Sequence, residues 1–223
     1  MSRLAIKSDW MLIQSILLLL GLSFDYLCSS IIFCPVVGFF LFLGFVLVNW
    51  PEFTLKKSWG GLPNWVTLSR LLLVIIAPFF CDYTLAIGIL ALSIVLLDGV
   101  DGFLARKLNQ ITPFGAQLDM ETDAFFCLVF SLLISINHPE LSWVLIAGSM
   151  RYTYKIITSI IAKNGFQESK KKYARYSAGV YFFSLLLFFF MDGTLAKTVL
   201  IVGNGLVLVS FSISFYEYFK FNK

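Results

Sequence analysis

Charged residues are scarce in this chain, at 13% of its 223 residues, whereas a soluble domain is about a quarter charged. Hydrophobic residues make up 59%. This balance excludes an ordinary soluble protein and predicts an integral membrane protein surrounded by membrane lipids. The formal net charge is only +4, which gives no indication of a nucleic-acid partner.

Histidine and cysteine are scarce as well. His138 is the only histidine, which argues against a histidine-based zinc site and against a Ser-His-Asp triad. The four cysteines fall in apolar stretches without close metal-like pairs, which indicates buried apolar side chains rather than a disulfide framework. Internal repeats and a low-complexity tail are also lacking, and the length suits one membrane domain.

Long apolar segments predict eight membrane-spanning helices. They lie at about residues 10–27, 29–50, 64–80, 83–108, 113 onward, 141–161, 176–191 and 195–219. The fifth begins with Thr112 as its N-cap and Pro113 at its first helical position. Residues 51–63 predict a short amphipathic segment on the membrane surface. The predicted fold class is all-α, a polytopic membrane helical bundle.

Positive charges concentrate in alternate loops. One side receives Arg3, Lys7, Lys56, Lys57, Arg106, Lys107, the basic segment 163–175, Lys220 and Lys223. The other side receives Asp25, Asp82, His138, Glu140, Asp192 and a single lysine, Lys197. The positive-inside rule therefore predicts that both termini lie in the cytoplasm, and we expect the bacterial inner membrane as the location.

Four aspartates lie close together in this apolar chain. Asp98 and Asp101 are three residues apart, and Asp119 and Asp123 are four apart, so each pair shares one face of a helix. The two helices form an antiparallel hairpin, which places both pairs on the cytoplasmic side. Because four neighbouring carboxylates repel one another, cations are expected between them. A pair of Mg²⁺ ions is the simplest candidate.

The acidic segment resembles the signature of the CDP-alcohol phosphotransferase family. The matching residues keep every spacing of that signature: Asp98, Asp101, Gly102, Ala105, Arg106, Gly115, Asp119 and Asp123. A weaker resemblance precedes it, at Pro63, Asn64, Thr67 and Arg70. The resemblance covers about residues 51–219. It predicts a family core of six membrane helices at residues 51–223, after an N-terminal extension at residues 1–50 with two more.

The resemblance implies a transferase of phospholipid biosynthesis that moves a phosphatidyl group from CDP-diacylglycerol to a polar alcohol and releases CMP. Asp98, Asp101, Asp119 and Asp123 would hold two Mg²⁺ or Mn²⁺ ions. Asp123 would also take the proton of the attacking hydroxyl. The residues expected to bind the donor are Asn64, Thr67, Gly102, Ala105, Arg106, Thr112 and Gly115. The resemblance also implies a homodimer.

Several other charges lie within or beside the predicted spans. Arg151 and Lys155 are one helical turn apart, and with Arg175 they are expected to bind an anionic group of the acceptor alcohol or of the donor lipid. The alternative is that they snorkel to the membrane surface. Glu121 is expected to be solvated or paired with a lysine. Arg70, which belongs to the weaker resemblance, could be a structural partner of the acidic cluster.

Three other functions remain as alternatives. A soluble CDP-alcohol could donate to diacylglycerol, which reverses the roles of lipid and alcohol. A Mg²⁺-dependent membrane prenyltransferase also sets aspartate pairs around a pyrophosphate, but it gives no reason for the spacing of Ala105, Arg106 and Gly115. A cation transporter would use the aspartates as a pathway. The acceptor is bound by residues outside the shared motif, so the motif leaves its identity open.

Overall fold

The structure, a computed structural model, describes residues 3–50, 61–161, 172–191 and 193–221. Within these ranges the chain forms eight α-helices and no strand. They are α1 (Arg3–Cys28), α2 (Phe33–Val48), α3 (Gly61–Ile76), α4 (Thr84–Lys107), α5 (Pro113–Asn137), α6 (Val144–Ile161), α7 (Lys172–Phe188) and α8 (Gly193–Phe221). The prediction of an all-α bundle is confirmed.

Four segments of the described chain are long and apolar enough to cross a membrane. They are Trp10–Cys28, Gly61–Phe80, Thr84–Lys107 and Gly193–Lys220. The second of them includes a 3₁₀-helix, Ala77–Phe80, that continues α3. The apolar helix α2 is only 16 residues long, and α7 has 17. The protein is thus an integral membrane protein. Helix α2 is shorter than the predicted span at residues 29–50, whereas α7 is about as long as the predicted span at residues 176–191 but begins and ends earlier.

Contacts at the two ends of the bundle show that successive helices alternate in direction. At one end, Phe45 near the end of α2 stacks on Phe114 at the start of α5, with ring centroids 5.4 Å apart. At the other end, Lys197 Nζ of α8 lies 3.5 Å from Glu140 Oε1, just before α6. We use "site end" for the end at which α4 ends and α5 begins.

The connection between α1 and α2 is fixed by a buried carboxylate. Asp25 accepts hydrogen bonds from the backbone N–H groups of Ile32, Phe33 and Cys34, at 3.2, 3.0 and 2.6 Å. A carboxylate at a helix N-terminus satisfies donors that have no partner within the helix. The helices are joined near Asp25, as predicted, but Asp25 itself is not a loop charge. Asp25 is fully buried, and α1 continues past it to Cys28.

Several predicted features fall where the structure gives no description. The predicted surface segment lies largely at residues 51–60, which are outside the described ranges, as are most of the basic segment 163–175 and Asp192. Residues 61–63 are described and belong to α3, not to a surface segment. The third span therefore begins earlier than predicted.

Helix α5 lies at the centre of the bundle. It is apolar on all sides beyond its first turns, and Phe125, Phe126 and Phe130 are fully buried. A helix that is apolar all round is expected to be surrounded by other helices. α5 contacts α1, α2, α3, α6 and α7. Its acidic first turns are thereby held at a fixed position at the site end.

Candidate active site

A buried arginine lies at the centre of the aspartate cluster. The side chain of Arg70, on α3, is 0% exposed. Its guanidinium contacts two carboxylates of α4, Asp98 Oδ1 at 2.9 Å and Asp101 Oδ2 at 2.7 Å. It also contacts two carboxylates of α5, Asp119 Oδ1 at 2.8 Å and Asp123 Oδ1. One cation therefore joins all four aspartates and three helices.

The helix geometry places these carboxylates as the spacing predicted. Asp98 and Asp101 lie one turn apart near the end of α4, and Asp119 and Asp123 lie one turn apart in the first turns of α5. The two helices run in opposite directions at the site end. The structure thus brings together all four predicted aspartates.

The four aspartates differ in their access to solvent. The side chains of Asp98, Asp119 and Asp123 are 42%, 41% and 40% exposed, whereas that of Asp101 is 5% exposed. Asp101 Oδ2 also accepts a hydrogen bond from the Thr67 hydroxyl at 2.9 Å. Three carboxylates are therefore open to a ligand, and the fourth is fixed beneath them.

The three open carboxylates have a spacing that fits a divalent cation. One oxygen atom each from Asp98, Asp119 and Asp123 lies within 4.8 Å of the others. Oxygen ligands on opposite sides of a Mg²⁺ ion lie about 4.2 Å apart, so small shifts would close a coordination shell. The guanidinium of Arg70 offsets only one of the four carboxylate charges, which also favours a further cation. Asp101 does not belong to this group, and its role as a ligand stays a prediction.

Thr112, Gly115 and Asn64 form a close contact between α3 and the start of α5. Thr112 caps α5, because its Oγ1 accepts a hydrogen bond from the Gly115 N–H at 3.0 Å. A Cβ atom on Gly115 would lie 2.5 Å from Asn64 Oδ1 and 3.1 Å from Thr112 Oγ1. A larger residue at position 115 would therefore require the Asn64 side chain to move. Gly115 leaves room for this side chain between α3 and α5, in addition to any contact with a donor.

The rim of the site is formed by the last turns of α4. Asp98, Gly102 and Arg106 are spaced four residues apart and share one helix face. Arg106 is exposed, and both of its terminal nitrogens lie 3.9 Å from the position of a Cβ on Gly102. Ala105 is half-buried beside them. This arrangement leaves a planar cation and a bare stretch of backbone facing outward, which suits a phosphate group.

The residues predicted to bind an acceptor lie mainly on α6. Arg151 Nη2 donates a hydrogen bond to Glu121 Oε1 at 2.6 Å. Glu121 is buried, so the prediction that it is solvated or paired with a lysine was wrong. Lys155 is half-buried one turn further along α6. The side chain of Arg175 lies outside the described part of the chain, and the acceptor role of these three cations stays a prediction.

A family model described as CDP-alcohol phosphatidyltransferase matches residues 61–211. The chain belongs to the CDP-alcohol phosphatidyltransferase family. The matched region contains all four aspartates, Arg70 and the Glu121–Arg151 pair. Helices α1 and α2 precede the matched region.

Individual relatives match the chain over shorter segments. A CDP-diacylglycerol--glycerol-3-phosphate 3-phosphatidyltransferase of Pseudomonas fluorescens is 32% identical over 107 residues, 45% of this chain and 54% of the relative. The protein of the same name from Wigglesworthia glossinidia brevipalpis is 37% identical over 110 residues, 44% of this chain and 57% of the relative. The matched segments span about half the length of these two relatives.

A further relative differs in its named acceptor. A CDP-diacylglycerol--inositol 3-phosphatidyltransferase of Schizosaccharomyces pombe is 37% identical over 91 residues, 34% of this chain and 38% of the relative. No solved structure matches the chain. The similarity thus extends to family members that are named for different alcohols.

Reasoning from the sequence missed one contact of this family member and left a second as an alternative. The pairing of Glu121 with Arg151 was not predicted, although Arg151 lies within a predicted span. Because a single buried charge costs several kcal/mol, a charge within a span requires an opposite charge nearby. The shared contact of Arg70 with all four aspartates was foreseen only as an alternative, and its buried position was the missing information.

Proposed function

We propose that the protein transfers a phosphatidyl group from CDP-diacylglycerol to a polar alcohol and releases CMP. The observation that carries this proposal is the set of four aspartates that α4 and α5 present around Arg70. Membership of the family and the names of the relatives support the choice of donor. The same reaction makes the protein an enzyme of phospholipid biosynthesis.

In the proposed reaction, the hydroxyl oxygen of the alcohol attacks the phosphorus atom that carries the diacylglycerol. A new P–O bond forms to the alcohol, and the P–O bond to the CMP phosphate breaks. CMP leaves with the electron pair of that bond, and the hydroxyl proton goes to Asp123. The side chain of Asp123 is 40% exposed, so a hydroxyl group can reach it. Asp123 is therefore proposed as the general base.

Two Mg²⁺ or Mn²⁺ ions are the proposed cofactors. Asp98, Asp119 and Asp123 would hold them, with Asp101 as a further ligand, and the oxygen spacing of the first three fits this role. Bound there, divalent ions would offset the charge on the pyrophosphate and on the departing CMP. Arg70 contacts Asp98 and Asp119 and would thereby hold their carboxylate oxygens in place before the donor binds.

The donor is proposed to lie along the rim formed by α4 and the start of α5. Arg106 would bind a phosphate oxygen, and Gly102 leaves space beside it. Asn64 and Thr112, which lie close to Gly115, would contact the cytidine side. Thr67 and Ala105 were also expected to bind the donor. Since the hydroxyl of Thr67 contacts Asp101, we propose that Thr67 acts through that carboxylate.

The acceptor is proposed to carry an anionic group, with glycerol 3-phosphate as the first compound to test. Arg151, Lys155 and Arg175 would supply the cations that bind it. The Pseudomonas and Wigglesworthia relatives are named for glycerol 3-phosphate, and the Schizosaccharomyces relative is named for inositol. The name of the last relative makes inositol the second compound to test.

The orientation and assembly of the protein are also proposals. The distribution of Lys and Arg among the loops supports a cytoplasmic site in the inner membrane. The family match from residue 61 to residue 211 supports a core at residues 51–223 and an extension at residues 1–50. We also propose a homodimer, on the family resemblance.

A screen of CMP release tests the proposal. The purified protein receives CDP-diacylglycerol with glycerol 3-phosphate, inositol, inositol phosphate or serine. The proposal predicts Mg²⁺-dependent CMP release with one of these alcohols. A second arm with diacylglycerol and a soluble CDP-alcohol tests the reversed roles. Release of pyrophosphate from a prenyl donor, or metal uptake into vesicles without any nucleotide, would instead support one of the other two functions.

A further inference from the structure

A buried ion pair lies behind the aspartate site. Glu121 lies two residues after Asp119 and two before Asp123, so its side chain leaves α5 on the opposite face. The Glu121 side chain is 8% exposed, and that of its partner Arg151 is 32% exposed. Arg151 thus has one nitrogen on a buried carboxylate, while part of its side chain remains accessible.

The N-terminal hairpin, which we define as α1 with α2, covers this face of α5. One turn before Glu121, Gln117 Nε2 lies 2.8 Å from Met11 Sδ of α1. One turn after Glu121, Phe125 packs against Phe42 of α2, with ring centroids 5.4 Å apart. Glu121 therefore lies between two contacts that the N-terminal hairpin makes with α5.

The N-terminal hairpin also brings a buried amide to this depth. Helices α1 and α5 both start at the site end, where Met11 contacts Gln117. From that contact, Gln14 lies about 4.5 Å further along α1, and Glu121 lies about 6 Å further along α5. Gln14 is buried, and its Nε2 has no hydrogen-bond partner among the described residues. A donor of the N-terminal hairpin thus lies level with the ion pair.

We propose that Glu121 is a positioning residue for Arg151 and that the N-terminal hairpin is the wall that keeps this pair buried. The inference rests on the proposed function, in which Arg151 binds the anionic acceptor. A carboxylate on one side of a guanidinium fixes the direction of its remaining donors. Without that contact, the Arg151 guanidinium would lose the carboxylate that orients it and would bind the acceptor more weakly. The residues before the family match thereby gain a role at the acceptor site.

The variant Glu121→Gln tests the positioning role, because it removes the charge and keeps the shape. We expect the KM for the acceptor to rise by about tenfold or more, while the KM for CDP-diacylglycerol stays within about twofold. Added to Arg151→Ala, the same substitution should cause almost no further change, since Glu121 acts only through Arg151. An unchanged acceptor KM in Glu121→Gln would overturn the inference. It would also be overturned if the rise in acceptor KM of the double variant equalled the product of the rises in the two single variants.

A second pair of variants tests the N-terminal hairpin. A Cβ atom on Gly38 of α2 would lie 2.2 Å from Cζ of Phe125, so Gly38→Ala pushes α2 away from α5. We expect a selective rise in acceptor KM, and a smaller rise in Gln14→Leu. The matched control is Gly205→Ala, because a Cβ atom there meets nothing within 4 Å. If the KM values for donor and acceptor change equally in the hairpin variants, the N-terminal hairpin has no selective role at the acceptor site and this part of the proposal is wrong. If Gly38→Ala fails to fold, the acceptor KM of Gln14→Leu still tests the role of the N-terminal hairpin.

The outcomes separate this inference from the proposed function. If the wild-type protein releases no CMP with any alcohol, the proposed function fails and the inference fails with it. If the wild-type protein is active and Glu121→Gln binds the acceptor normally, the inference fails alone. A lower melting temperature in Glu121→Gln with an unchanged acceptor KM would assign the pair to stability only.

Discussion

Arg70 Nη1 donates a hydrogen bond to Asp101 Oδ2 over 2.7 Å, although the two residues are 31 positions apart and lie on different helices. The same nitrogen contacts Asp119 at 2.8 Å. A single buried guanidinium therefore connects α3 with both acidic helices. This contact reduces the repulsion among the four carboxylates, although one positive charge does not offset all of them.

Loss of the Arg70 cation should destabilise the site most strongly when no metal is present. Arg70→Met would leave the buried carboxylate of Asp101 without its ion pair, and breaking a buried pair costs about 3–5 kcal/mol. We expect a lower melting temperature in EDTA, partly restored by Mg²⁺, because the ion replaces some of the lost positive charge. Thermal unfolding in detergent, with and without Mg²⁺, measures this.

The control for that experiment is Lys197→Met, which removes an exposed cation at the other end of the bundle. Exposed ion pairs contribute about 0–1 kcal/mol, so its melting temperature should hardly change. Wild-type stability of Arg70→Met in EDTA would contradict the view that Arg70 holds the aspartates together.

Asp123→Asn should lose nearly all turnover and keep the fold. The substitution preserves the shape of the side chain but removes the proposed proton acceptor. Removal of a general base typically costs about 10²–10⁴-fold in rate. Initial rates of CMP release, together with the melting temperature, check this expectation. Near-normal CMP release by this variant would show that Asp123 is not the base.

Activity should require Mg²⁺ or Mn²⁺ and should disappear in excess EDTA. Asp98, Asp119 and Asp123 offer oxygen ligands at a spacing that fits such an ion. Ca²⁺ should support little activity, because it takes more ligands at longer distances than Mg²⁺. CMP release is measured after chelation and after each metal is added back. Full activity in excess EDTA would exclude the metal mechanism.

Arg151→Ala and Lys155→Ala should raise the KM for the acceptor far more than the KM for the donor. The reason is the position of both cations on α6, with Arg151 already oriented by Glu121. Separate titrations of the two substrates provide the two constants. If the side chains only snorkel, both constants should stay within about twofold, as for surface changes of about 0.5 kcal/mol. Lower expression with unchanged kinetics would assign a structural role.

The sequence allowed the positions of the four aspartates to be predicted well. Helical periodicity fixes which residues share a face, and the N-cap at Thr112 fixes where α5 begins. The partner of the cluster was harder to predict, because either Arg70 or a metal ion can offset the charge. The contacts in the structure show that Arg70 lies among the carboxylates.

The end of α1 and the start of α2 could not be predicted either, because they depend on a contact that only the folded chain makes. Asp25 was counted among the loop charges because it lies near the end of the first apolar segment. In the structure, its carboxylate folds back onto three N–H groups at the start of α2. Such a contact depends on the path of the chain between the helices. Hydropathy alone therefore placed the start of the second span too early.

The most direct test of the account follows the phosphorus atom. The protein is incubated with Mg²⁺, a polar alcohol and CDP-diacylglycerol that carries ³²P in the phosphate next to the diacylglycerol. The account predicts that the label appears in a new phospholipid, with one CMP released for each product molecule, and that Asp123→Asn forms almost none. Label that stays in CDP-diacylglycerol with every alcohol, or that is released in water-soluble form, would contradict phosphatidyl transfer at this site.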